Sequence, residues 1–153
     1  HGPVPQLGEN PFFTACGPVP PSLVSSRVRE TPEFAAYMAD ALGGYAQVTS
    51  DDPDAGEIAA AAQAAGRCSC IVLGTCNAHL KPGQQELLRA LGSLGKPMIV
   101  VALRNPYDLL RMPERSAGIA AWEYTARSLQ TVVPFLAGKR EFKGKMPLTR
   151  VIF

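Results

Sequence analysis

Charge is scarce in this chain. Charged residues make up 18% of its 153 residues, and the formal net charge is only +2. Lys and Arg are scattered, so the broad basic face that nucleic-acid binding requires is missing. The local concentration at Lys139, Arg140, Lys143 and Lys145 reads as a solvated tail. Long hydrophobic runs are also absent: no apolar stretch approaches the roughly 18–20 residues of a membrane span. The opening His1-Gly2-Pro3-Val4-Pro5 has neither the basic nor the apolar region of a secretory signal, so none is expected here. Cysteine is limited to Cys16, Cys68, Cys70 and Cys76. Four clustered thiols exclude a disulfide scaffold and lean towards a reducing, cytoplasmic setting without fixing the compartment. Neither the dinucleotide glycine pattern nor the Walker pattern follows any apolar run, so no cofactor is expected.

What is present is a chain with 46% hydrophobic residues, enough for one well-filled globular domain. Residues 1–30 read as an extended arm with a first strand near 12–16. Nine of the 14 glycines and 14 prolines fall before residue 22. Residues 31–153 read as the remainder of the same domain. Thr31-Pro32-Glu33 has the form of a helix start, and Phe34, Tyr37, Met38, Ala41 and Leu42 follow at helical spacing before Gly43-Gly44. Asp52-Pro53 opens an alanine-rich helix to Ala65. Pro82 opens another, with Leu87, Leu88, Leu91 and Leu94 on one side and Gly95 at its end. Strands are expected at Tyr45–Thr49, Cys68–Gly74, Met98–Leu103 and Gly118–Tyr124, with an edge strand at Met146–Phe153. A last helix starts at Thr125 or Ala126. Its Pro134 predicts a kink or a late start, because an interior proline removes a backbone hydrogen bond.

Apolar strands alternating with amphipathic helices specify an α/β fold: a three-layer α/β/α sandwich around a mostly parallel sheet of about five strands. Right-handed crossovers and a flavodoxin-like order, 2-1-3-4-5, are expected. In such sheets, ligands and partners are met at the carboxyl edge of the strands. The Met98–Leu103 run delivers Arg104-Asn105-Pro106-Tyr107-Asp108 to that edge. Pro106 pushes Asn105 into an extended conformation, which gives its side chain a defined direction. The competing reading is that Asn105 and Asp108 merely satisfy the turn's backbone.

His79 follows Thr75-Cys76-Asn77-Ala78 just past another strand, without a nucleophile elbow or an acidic partner close in sequence. A strand period of two places Cys68 and Cys70 on one face. The expected strand order lets Cys16 and Cys76 approach each other. Zinc sites show spaced pairs and histidines, and the only internal histidine is His79, so no metal site is expected. The acids Glu86, Asp108, Glu114 and Glu123 form no recognisable catalytic pair.

Four blocks carry a family resemblance. They are Ile71-Val72-Leu73-Gly74-Thr75-Cys76-Asn77-Ala78, Gln84-Gln85-Glu86-Leu87-Leu88 continuing to Asp108, Trp122-Glu123-Tyr124, and Lys143-Gly144-Lys145-Met146-Pro147-Leu148-Thr149 after Gly138. The chain resembles the C-terminal α/β/α sandwich domain of glycoside hydrolase family 3, in the two-domain bacterial β-N-acetylhexosaminidase branch. The resemblance covers roughly residues 12–153. It departs from the pattern at Cys76, often a larger residue such as Tyr, and at Met146, often Leu.

The resemblance implies that the catalytic residues belong to a preceding (β/α)8 barrel, so no residue here inherits a catalytic role. The implied partners are that barrel and an amino-sugar substrate. Asn77, His79, Arg104, Asn105 and Asp108 are the expected contact residues for either. An apolar docking surface is expected as well. The alternative is a stand-alone small-molecule-binding domain, a sensor or scaffold with a closed pocket at the switch point. A third reading, a thiol or metal enzyme, would rest on the four cysteines.

Overall fold

A computed structural model describes residues 3–18 and 31–144. The edge strand expected over Met146–Phe153 lies outside the described residues. Five strands form one sheet: β1 (Pro11–Cys16), β2 (Tyr45–Thr49), β3 (Cys70–Thr75), β4 (Met98–Ala102) and β5 (Ala117–Ala120). They are all parallel and lie in the order β2-β1-β3-β4-β5, as expected. Four helices cover the sheet: α1 (Phe34–Leu42), α2 (Ala55–Ala65), α3 (Pro82–Gly92) and α4 (Ala126–Leu136). No helix among the described residues is long and apolar enough to cross a membrane.

Strands β1, β3 and β4 are buried along their whole length. Burial on both faces explains why they read as continuous apolar runs rather than alternating ones. On one face, Phe13, Ala15, Val72, Ile99 and Val101 pack with Phe34 and Met38 of α1 and with Leu129, Val132 and Leu136 of α4. On the other, Phe12, Ile71, Leu73, Val100 and Ala102 pack with Ile58 and Ala61 of α2 and with Leu87, Leu88 and Leu91 of α3. Gly74 sits where Leu103, Ala15 and Phe34 converge, and a Cβ there would come within 2.8 Å of Leu103. Its lack of a side chain admits α1 to the end of β3.

Several boundaries differ from expectation for local reasons. Thr31 does not cap α1; Glu33 stands at that position, with no side-chain capping bond. Helix α2 begins after Asp54, not Asp52. The Asp54 carboxylate accepts from the Glu57 amide, and Glu57 reciprocates to the Asp54 amide, forming a capping box. Helix α3 ends at Gly92, so Leu94 falls outside it and is partly exposed. Strand β3 begins at Cys70 because residues 66–69 turn off the end of α2, with the Cys68 amide bonded to the Ala65 carbonyl. Cys68 and Cys70 therefore pack on opposite faces of the sheet, not on one.

Strand β5 stops at Ala120. The Ala121 amide still reaches the Ala102 carbonyl, but Trp122 turns to φ 66°, which ends the extended run. Helix α4 starts at the Thr125 cap and continues through Pro134 to Leu136, so the late start is not found. The carbonyl that Pro134 deprives of a donor belongs to Gln130, an exposed residue whose position gives that group access to water.

Candidate functional site

The carboxyl ends of β3 and β4 lie side by side, with Thr75 paired to Ala102. Each strand then feeds a short 3-10 turn, Ala78–Leu80 after β3 and Pro106–Arg111 after β4. His79 and Asp108 lie within these turns, Asn77 and Asn105 directly precede them, and Arg104 comes one residue earlier on the second. Asn77 opens the first turn in the left-handed region, at φ 57°. Asn tolerates this region better than most residues, and here it redirects the chain across the sheet edge.

The two turns are joined by His79 and Asp108. Asp108 is fully buried, and its Oδ1 lies 2.9 Å from His79 Nδ1 and 3.2 Å from the His79 backbone amide. A carboxylate accepts and does not donate, so the imidazole proton belongs on Nδ1. Nε2 is then left as the working nitrogen of a partly exposed ring, whose side chain is 26% accessible. The His79 carbonyl is held in turn by Gln85 Nε2 at 3.2 Å, and the same Nε2 donates to the Ala78 carbonyl at 3.0 Å. One bond thus orients the ring while two others hold the His79 backbone before any ligand arrives, the condition for precise recognition or proton handling. Asp108 Oδ2 is buried without a hydrogen-bond partner among the described residues.

The other three expected residues behave differently. Asn105 Oδ1 accepts from the Tyr107 amide at 3.1 Å, so its side chain caps its own turn. Arg104 and Asn77 are half-buried at the same edge. Arg104 lies near enough to Cys76 to favour that residue's thiolate.

Sequence reasoning missed Gln84 as a member of this edge. Gln84 is buried on the first turn of α3, in line with Leu87, Leu88 and Leu91. Its Oε1 accepts from the Cys76 amide at 2.9 Å, and its Nε2 donates to the carbonyls of Asp51 at 2.7 Å and Cys76 at 3.1 Å. One amide therefore fastens the loops after β2 and β3 to each other. The available signal was a polar residue at a core-facing helical position. Tyr124 acts similarly on the other side of the sheet: its hydroxyl accepts from the Phe34 amide at 2.8 Å and donates to the Cys16 carbonyl at 3.1 Å. Burial raises the pKa of that phenol, keeping it a neutral donor.

Three large apolar side chains are exposed on the loops that leave this edge: Leu80 after β3, Tyr107 after β4 and Trp122 after β5. Trp122 has a backbone conformation that is unfavourable for a bulky residue, and such strain concentrates at ligand and partner surfaces. Among the described residues, no group of three or more His, Cys, Asp or Glu side chains is placed to hold a metal ion.

No protein-family model matches the sequence, and no curated protein matches it. Solved structures do. The whole chain aligns with 30% of a glycoside hydrolase family 3 β-N-acetylglucosaminidase from Paenibacillus sp. str. FPU-7, at 24% identity and a TM-score of 0.77. It aligns over 95% of its length with 16% of a fungal multi-domain family 3 β-N-acetylglucosaminidase, at 20% identity and a TM-score of 0.67. A β-glucosidase from Listeria innocua matches 90% of the chain with 22% of its own, at 13% identity and a TM-score of 0.67. The chain thus spans less than a third of each of these proteins. It has the α/β/α sandwich fold that these glycoside hydrolases carry as one part of a longer chain.

Proposed function

We propose that this domain is the accessory sandwich of a family 3 glycoside hydrolase of the β-N-acetylhexosaminidase type. It packs on a catalytic (β/α)8 barrel and walls one side of an amino-sugar pocket. The observation that carries this reading is the alignment of the entire chain with 30% of a β-N-acetylglucosaminidase at a TM-score of 0.77. The carboxyl-edge loops support it with two complementary features. Leu80, Tyr107 and Trp122 offer apolar area to a partner. His79, held by Asp108, offers an oriented nitrogen to a hydroxyl. Asp108 acts through His79 because it is fully buried. Arg104, Asn77 and the Asn105 turn complete the wall.

The test is hydrolysis of a chromogenic β-N-acetylglucosaminide by this domain alone and mixed with a separately produced family 3 barrel. The expected result is no turnover alone and a gain on mixing, with His79→Ala weakening that gain. Turnover by the isolated domain would overturn the accessory role.

A further inference from the structure

Strand order brings two of the four cysteines together at the β1–β3 crevice, where the chain reverses its direction of sheet growth. The β1–β3 register sets Thr14 opposite Leu73. Carried two residues further, that register brings Cys16 to the end of β3 at Thr75, and Cys76 follows immediately past that strand. Neighbouring strands lie about 4.8 Å apart, and a disulfide spans Cα separations of about 4.4–6.8 Å. Both residues are unpaired cysteines and nearly inaccessible, at 3% and 2% exposure. Gln84 braces the pair: its Nε2 lies 4.0 Å from Cys16 Sγ and bonds the Cys76 carbonyl.

The two thiols lie close enough to influence each other's ionisation. Stabilisation by Cys76 lowers the pKa of Cys16 against the opposing effect of burial, and Lys81 adds a smaller push in the same direction. Cys76, beside Cys16 and itself buried, is shifted strongly upward. The direction of these shifts is the one that an attacking Cys16 and a resolving Cys76 require. The other two cysteines show no such arrangement. Cys68 and Cys70 pack on opposite faces, and burial pushes both upward, Cys70 to about 11.

We propose that Cys16 and Cys76 form a redox-responsive pair that a hydroperoxide converts into an intrachain disulfide between the ends of β1 and β3. The Cys16 thiolate attacks the distal peroxide oxygen, the O–O bond breaks, and the leaving oxygen departs as an alcohol or water after protonation. Cys16 is then a sulfenic acid. Cys76 sulfur attacks Cys16 Sγ, the S–O bond breaks, water leaves and the S–S bond forms. The peroxide gains two electrons and the two thiols lose two. The new bond ties the start of the His79 loop to the end of β1.

The test is exposure of the native protein to hydrogen peroxide near neutral pH, followed by thiol counting after denaturation and non-reducing peptide mapping. The expected result is two remaining thiols of the original four, a Cys16–Cys76 linked peptide, and reversal by a dithiol. Cys76→Ala is expected to stop at a sulfenic acid on Cys16, trapped by a dimedone-type reagent, while Cys68→Ala leaves the cross-link intact. Four titratable thiols after exposure, or a link through Cys68 or Cys70, would overturn the proposal. Mapping of the unsubstituted protein decides the question even if an alanine variant fails to fold.

Discussion

Replacing Gln84 by Met tests whether one buried amide holds the carboxyl edge together. The substitution keeps an unbranched side chain of similar size, so packing against Leu87 and Leu88 changes little. What it removes is the acceptor for the Cys76 amide and the donor to the carbonyls of Asp51 and Cys76. An orphaned buried amide costs about 1–3 kcal/mol, and a carbonyl with a second lone pair costs less, so we expect a total near ~3 kcal/mol. A domain of this size has about 5–15 kcal/mol of stability in all, so the loss is large but survivable. At about 2–4 °C per kcal/mol, the melting temperature should fall by about 6–12 °C. Urea unfolding should show a lower midpoint with an unchanged slope. Gln84→Glu adds a second check. Its ionised form faces the Asp51 carbonyl, so its folded pKa is raised. Its penalty should vanish as pH falls below the ordinary carboxylate range, and be full at neutral pH. A Met variant within about 0.5 kcal/mol of the parent would refute this account of the edge.

Two smaller tests follow. Tyr124→Phe deletes the hydroxyl between the Phe34 amide and the Cys16 carbonyl, and a loss of about 1–3 kcal/mol in thermal or chemical unfolding is expected; a neutral result would mean that water replaces the hydroxyl. Hydrogen bonds from Ser50 and the Asp54 amide lower the pKa of Glu57, so its contribution is present above about pH 4.3 and lost as pH falls through the lower folded value. The stability gap between the parent and Glu57→Gln, followed by acid titration, should therefore shrink only below that range.

Local pattern was sufficient for the elements. The continuous apolar runs of β1, β3 and β4 announced strands buried on both faces, and the helical spacing of Leu87, Leu88 and Leu91 announced the inner face of α3. Alternation of the two implied a parallel sheet, because a parallel pair needs a covering crossover. Element ends were less legible. Asp52 and Asp54 are both plausible caps, and only the reciprocal bond with Glu57 selects Asp54. Cys68 was misassigned to β3's register because periodicity cannot reveal that residues 66–69 are still turning.

The site was legible only as a set of loops. His79 showed no acidic partner because that partner, Asp108, is 29 residues away and arrives by the pairing of β3 with β4. The role of Gln84 shows only once the loop after β2 lies beside it. The sequence by itself determined which segments are apolar, in what period, and hence the layers and their order. Tertiary structure alone decided which polar groups face one another. Burial of apolar area is non-directional and can be summed along the chain. A hydrogen bond between distant residues exists only at one distance and angle, which the packed sheet supplies.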